Sequence, residues 1–371
     1  MKRKKNLYNS ITFEDVLRVY KKQIRVNTKN KVKIRKYEDF YSINLSRAKK
    51  IIDDKNYVPG KYNIFLIREP KYRIIMSQNI TDKLINHVIA DKILLPALDN
   101  SLIDMNIATR IGRGTHYGIR KVKKSLQDLN GEIYALKFDI SKYFYNIDHN
   151  VLYELLKKKI KDSDALKIVF KIIESTDNDY VNKRIQFLKN KELCKTRNMN
   201  IVDNHYNRIV KEIENIPLYK KGKGLPIGNM TSQIMAVYYL NELDHYIKEK
   251  LHIKHYIRYM DGGVLLSNDK EYLKYCLKKI EEMVHKYKLK LNDKTKIINV
   301  SKEGLDFLGF RFYVWNNKVV MKVRKDTKKR FKRKMKLIKE GRLDNSESVI
   351  ASYKGHLKWG NCYNLLKSID Y

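Results

Sequence analysis

The chain has 371 residues, 43% of them hydrophobic and 11% aromatic, so it can bury a sizeable core and has the length of two or three subdomains. Its 79 Lys and Arg against 41 Asp and Glu leave a net charge of +38, which AT-rich codon usage does not explain, since that usage raises acidic codons too; a polyanion, nucleic acid first, is the expected partner. Cys194, Cys276 and Cys362 lie far apart with no CxxC pair, which argues against a disulfide framework and a zinc site, and no stretch approaches the roughly 20 apolar residues of a membrane span.

The basic start, Met1 to Lys5, runs into polar residues and lacks the apolar core of a leader, so a soluble cytoplasmic protein is expected. Residues 1–60 read as a basic arm or small helical layer, with weak periodicity at Phe13, Val16, Leu17 and Tyr20. Tyr62 to Ile67 and Tyr72 to Met76 read as two strands around Arg68 to Lys71, and Ile80, Leu84, Ile85, Val88, Ile89 and Ile93 predict a helix over 80–100. Ile133 to Phe138 is a strand leading to Asp139, followed by a helix from Asn146 to Lys158 that Asp148 or Asn150 caps. Residues 160–220 are helical and charged; a connection of that length is expected to pack as an insertion, and it ends in a basic glycine loop at Lys220 to Gly224.

A long helix is predicted over Thr231 to Lys248, and a hairpin follows at Arg258 to Ser267. Asp261-Gly262 between apolar runs is a common two-residue turn signal, because type I′ turns need positive φ, so these residues alone read as an ordinary hairpin. Residues 271–287 form a further helix and Leu305 to Tyr313 a strand-like run. Arg324 to Lys339 is dense in Lys and Arg, yet Phe331, Met335 and Ile338 recur at helical spacing. A solvated helix face and a membrane-surface helix compete there with the favoured reading, a helix lying along a nucleic-acid backbone.

Two acidic strand ends carry the chemistry. Nucleotidyl transfer needs two divalent ions about 4 Å apart, held by carboxylates from strands distant in sequence. Asp139 ends one strand, and Asp261 sits in the hairpin some 120 residues later. Either residue alone reads as a turn or capping position. His116 and His149 show no metal-ligand spacing and read as hydrogen-bonded structural residues.

The flanking segments resemble the motifs of reverse transcriptases. Lys137 to His149 is similar to motif A, Gly224 to Gln233 to motif B, and Tyr259-Met-Asp-Gly262 to the YxDD box of motif C; Leu289 to Lys296 resembles motif D and Leu305 to Phe310 the primer-grip motif E. Arg68 to Arg73 and Arg110 to His116 are similar to fingers motifs of bacterial members, so the likeness covers about residues 60–365. It implies an α+β right-hand polymerase fold: a basic N-terminal layer (1–60), fingers (61–132), a palm with antiparallel sheet (133–315) carrying the insertion, and a short basic helical thumb (316–371).

By the same resemblance, Asp139 and Asp261 bind two Mg²⁺ ions, with Mn²⁺ as the substitute, and the Ile140 carbonyl assists. Lys71 and Arg73 grip the triphosphate, Phe144 is the steric gate against a ribose hydroxyl, and Gly228 and Gln233 line the template-nucleotide pocket. Lys294 protonates or neutralises the leaving pyrophosphate, with Lys296 the competing register. The implied partners are template RNA, cDNA or primer, dNTPs and a small basic accessory protein, with no membrane.

Motif B narrows the likeness. Ile227 and Gln233 stand where most reverse transcriptases carry Gln and Pro, as in the diversity-generating retroelement branch, which the tail Ser352 to Asn361 also resembles. An apolar Ile227 cannot hydrogen-bond the nucleotide sugar, so error-prone cDNA synthesis is expected. A phage-defence or other bacterial reverse transcriptase is the second reading, and a non-catalytic RNA-binding scaffold the third. The departure is Gly262, where the family pattern has Asp. It removes one negative charge from a site for two dications, and leaves reduced activity, an altered metal demand and loss of activity all open.

Overall fold

In a computed structural model, residues 3–198, 203–316, 318–343 and 345–367 are described. The chain divides into two interleaved units: residues 1–103, 140–243 and 283–290 make the first, and 104–139, 244–282 and 291–371 the second.

The first unit begins with helices Phe13–Val19, Lys31–Glu38 and Tyr41–Asp53. Thr12 caps the first by a reciprocal box with Asp15; of the residues carrying the weak periodicity, Val16 and Tyr20 are buried and Leu17 is half-buried, but Phe13 is exposed, and Val19 completes the buried face in its place. Strands β1 (Asn63–Ile67) and β2 (Arg73–Ser77) form an antiparallel hairpin, followed by the helix Ile80–Ile89, which continues through a wider turn at Ala90–Leu94. Asn79 caps it through the Asp82 amide.

The predicted insertion consists of helices Ser163–Ile173, Asp179–Arg197 and Asp203–Glu214. Val181 and Ile185 of the second pack against Ile64, Ile74 and Met76, so this helix covers the β1–β2 hairpin. An ion pair fastens it there: Arg68 Nε and Nη2 donate to Glu192 at 2.6 and 3.1 Å. The helix His149–Lys157 starts at its Asp148 cap, as expected. Thr231 to Lys248 is not one helix; Met230–Tyr239 stops at Leu240, and a short helix Asn241–His245 restarts the chain.

The second unit is built on two antiparallel sheets. Strands β3 (Tyr134–Asp139), β4 (His255–Tyr259), β5 (Gly262–Ser267) and β6 (Lys296–Asn299) run in the order β4-β5-β3-β6, and β7 (Leu305–Phe307), β8 (Phe310–Trp315) and β9 (Lys318–Val323) form the other sheet. Leu305 to Tyr313 is therefore two strands. Leu308 and Gly309, with φ of 49° and 87°, reverse the chain between them, and the apolar pattern hid that turn. Ala135, Ile257, Val264 and Ile298 on one face of the first sheet join Phe310, Phe312 and Met321 of the second in one core. Phe331 of the helix Lys325–Lys339 is buried in that core, as its spacing predicts.

Candidate active site

Strand alternation in the second unit sets the site. Lys137 and Asp139 share a face of β3, and Asp139 pairs directly with Gly262, which pairs in turn with Tyr259. The hairpin turn is Met260-Asp261 and not Asp261-Gly262. Gly262 already belongs to β5, and the positive φ, 56°, falls on Met260. Asp261 is thereby carried on the tip and lines the same cleft of about 330 Å³ as Asp139, Tyr259 and Gly262.

Lys137, Asp306 and Arg324 complete the charged lining of that cleft. Asp306 faces Arg311 across the β7–β8 register, and the guanidinium donates to it at 2.8 and 2.6 Å. Burial works to raise the Asp306 carboxyl, but Arg311 holds it below the usual carboxylate range. Burial lowers the Lys137 ammonium, with Asp306 and Asp139 pulling it back. Sequence reasoning missed Lys137 and Asp306; the period-2 placement of Lys137 beside Asp139 was the available signal for the first.

Carboxylate oxygens are the donors a hard divalent cation prefers, so Asp139 and Asp261 fit Mg²⁺ chemically. The set is short for two ions. Among the described residues no group of three His, Cys, Asp or Glu side chains is placed to share a metal. A Cβ built at Gly262 would stand 3.4 Å from Asp139 Oδ1, an ordinary contact, so the backbone at position 262 accepts a side chain that starts beside the Asp139 carboxylate.

Lys294 is exposed on the turn before β6, not at a helix end, and does not line the cleft; its backbone amide donates to Asn292 Oδ1 at 3.0 Å. Lys296 lies opposite Lys137 in the sheet. Asn292 N donates to the Asp139 carbonyl at 2.8 Å, tying this segment to the end of β3. His116 stacks on Trp359 with centroids 4.5 Å apart.

The other candidate residues belong to the first unit. Lys71 and Arg73 are exposed on the β1–β2 hairpin, and Arg73 pulls down the Tyr145 phenol that burial pushes up. Ile140, the residue after β3, is buried. Phe144 is half-buried, and its carbonyl accepts from Leu225 N at 2.8 Å, joining motif A to motif B. The Ile227 carbonyl accepts from Met76 N at 2.8 Å, which fastens motif B to β2. Gly228 follows with φ of 132°, and a Cβ there would lie 2.7 Å from the Met76 carbonyl, so only glycine allows this approach. Gln233 is half-buried in the first turn of the next helix. His149 is buried, and its Nε2 donates to the Gly224 carbonyl at 2.7 Å, a structural bridge between the same two motifs.

The reverse transcriptase (RNA-dependent DNA polymerase) family profile matches residues 61–312. The group II intron-encoded protein LtrA of Lactococcus lactis subsp. cremoris is 24% identical over 208 residues, 54% of this chain and 28% of LtrA. The CRISPR-associated endoribonuclease Cas13a of Leptotrichia wadei is 28% identical over 216 residues, 54% of this chain and 16% of that protein. The chain thus spans less than a third of the curated relatives it matches. Among solved structures, a telomerase from Candida albicans with the TWJ fragment of telomeric RNA is 15% identical, with a TM-score of 0.42, covering 78% of this chain and 50% of that one.

Proposed function

This chain belongs to the reverse transcriptase family, and on that premise we propose that it makes cDNA on a template RNA by nucleotidyl transfer at the cleft between β3 and the β4–β5 hairpin. The carrying observation is that Asp139 and Asp261, 122 positions apart (261 − 139), line one cleft of the second unit. Divalent ions held there would activate the primer 3′-hydroxyl and stabilise the departing pyrophosphate.

The chain's own residues do the rest. Asp139 and Asp261 would hold the ions, and Lys71 and Arg73 orient the triphosphate as charge-assisted donors; Lys294, which does not line the cleft, keeps no role at the pyrophosphate. Phe144 excludes the ribose 2′-hydroxyl, which selects dNTPs. Gly228 brings backbone close to the base pair while the Ile227 carbonyl is held by β2, so Ile227 presents a fixed apolar side chain with no hydrogen bond to offer. That supports an error-prone polymerase of the diversity-generating retroelement kind over a phage-defence enzyme. Gly262 lowers the affinity for the second ion and with it the rate.

One observation favours a second reading, a non-catalytic RNA-binding scaffold: among the described residues no third carboxylate is placed with Asp139 and Asp261 to share a metal, although Asp306, paired with Arg311, also lines the cleft. Primer extension on an RNA template with Mg²⁺ or Mn²⁺ separates the two. Product that Asp139→Ala and Asp261→Ala both abolish supports the polymerase, and product unaffected by either substitution rejects this site. Sequencing the cDNA made by wild type and Ile227→Gln tests the retroelement assignment, because an unchanged misincorporation rate would count against the role of Ile227.

A further inference from the structure

A buried ion pair in the second unit touches the hairpin tip without entering the cleft. Arg258 and Asp244 are both fully buried, and the guanidinium grips the carboxylate with Nε at 2.6 Å and Nη2 at 2.7 Å. The Tyr256 hydroxyl donates to the same carboxylate at 2.8 Å and Asn106 Nδ2 at 3.2 Å. The remaining guanidinium nitrogen, Nη1, donates to the Met260 carbonyl. On the backbone, Arg258 N donates to the Met105 carbonyl at 3.0 Å and the Arg258 carbonyl accepts from Ile107 N at 3.1 Å, so the base of this strut is fixed along its length.

Stability explains this arrangement poorly. Desolvating two charges is costly, and a well-packed apolar pair of similar volume often serves as well or better. The pair does meet a local need. Met260 holds a left-handed φ of 56°, a conformation that is strained for a non-glycine residue and persists only where its surroundings impose it. Arg258 alternates with Tyr259 along β4, so it lies on the sheet face away from the cleft and reaches the tip from behind.

We propose that Arg258 is a positioning residue: anchored by Asp244, it holds the Met260 carbonyl, and so the left-handed turn that carries Asp261 into the cleft. Its effect on rate rests on the polymerase reading, whereas its effect on the turn does not.

The test replaces the pair by apolar groups, Arg258→Met with Asp244→Leu, in the full chain and again in the Gly262→Asp background. Thermal melting, hydrogen exchange in peptides spanning 259–263, and primer extension are read together. The double variant is expected to stay folded, to exchange at the tip at least about tenfold faster, and to lose about tenfold in kcat with dNTP KM held within about twofold. Tip exchange within about twofold of wild type would overturn the proposal. If the double variant does not fold, Arg258→Lys, which keeps the charge but not the planar fork, is read by the same exchange criterion. Absence of product from wild type and Gly262→Asp alike counts against the polymerase reading, and the exchange measurement still decides the role of Arg258.

Discussion

Asp139 and Gly262 are cross-strand partners, the last residue of β3 facing the first of β5, and a side chain at position 262 would begin 3.4 Å from the Asp139 carboxylate. The backbone of Gly262 is not left-handed, so a Cβ is accommodated there without backbone strain. Gly262→Asp brings three carboxylates together, and their repulsion lowers stability by about 1 kcal/mol without metal. Mg²⁺ binds the folded variant and reverses this by mass action. Thermal melting with and without MgCl₂ is expected to show a larger Mg²⁺-induced rise for the variant than for wild type, and equal rises would contradict the assignment.

Gly228 marks the closest approach of motif B to β2. With φ of 132° and the Met76 carbonyl 2.7 Å from where a Cβ would stand, Gly228→Ala must displace one backbone or the other. The expected loss is about 1–3 kcal/mol in urea unfolding, with a raised dNTP KM in primer extension because Ile227 moves with it. An unchanged midpoint would show that the loop re-forms freely.

His87 supplies the pH dependence. Burial, with Lys83 adding to it, lowers its pKa from the ordinary 6.5 to about 4. The folded state keeps the ring neutral while the unfolded chain protonates it below pH 6.5, so this contribution is full above 6.5 and lost as pH falls toward 4. Urea midpoints measured across that window should fall more steeply for wild type than for His87→Gln. Parallel curves would remove His87 from the acid response.

The helix Lys325–Lys339 separates its charges from its core. Phe331 is buried, while Lys325, Lys329, Lys332, Lys336 and Lys339 are exposed and recur at helical spacing on the other side. If six or more phosphates of single-stranded RNA are neutralised by the protein, the log–log salt slope of affinity is about −4 or steeper. Gln at Lys329, Lys332 and Lys336 should weaken binding for all sequences alike and flatten that slope. A flat slope for wild type would exclude the electrostatic role.

The sequence was most legible where one local pattern decides the structure. The Asp148 cap, the β1–β2 hairpin and the buried stripe around Phe331 follow from side-chain period and capping chemistry. It was least legible where tertiary contacts override a local signal. Asp-Gly is the stronger turn former, yet the chain turns at Met260-Asp261; pairing of Gly262 with both Asp139 and Tyr259 draws it into β5, and Arg258 holds the Met260 carbonyl. Gly309 is the one turn signal in Leu305 to Tyr313, and the apolar residues on both sides of it masked the reversal at Leu308-Gly309. Asp139 and Asp261, singled out by strand ends together with the flanking motifs, line one cleft, whereas Asp244 was missed because nothing local distinguishes a buried ion-pair partner from a solvated helix residue.

The most direct test of the central claim, that Asp139 and Asp261 form a catalytic metal site lacking its third carboxylate, is the primer-extension rate of Gly262→Asp on an RNA template. Wild type and Asp139→Ala are measured beside it. The expected rate order is Gly262→Asp, then wild type, then Asp139→Ala at background, with the gap between the first two narrowing as Mg²⁺ rises. Product from Gly262→Asp no greater than from Asp139→Ala would contradict it.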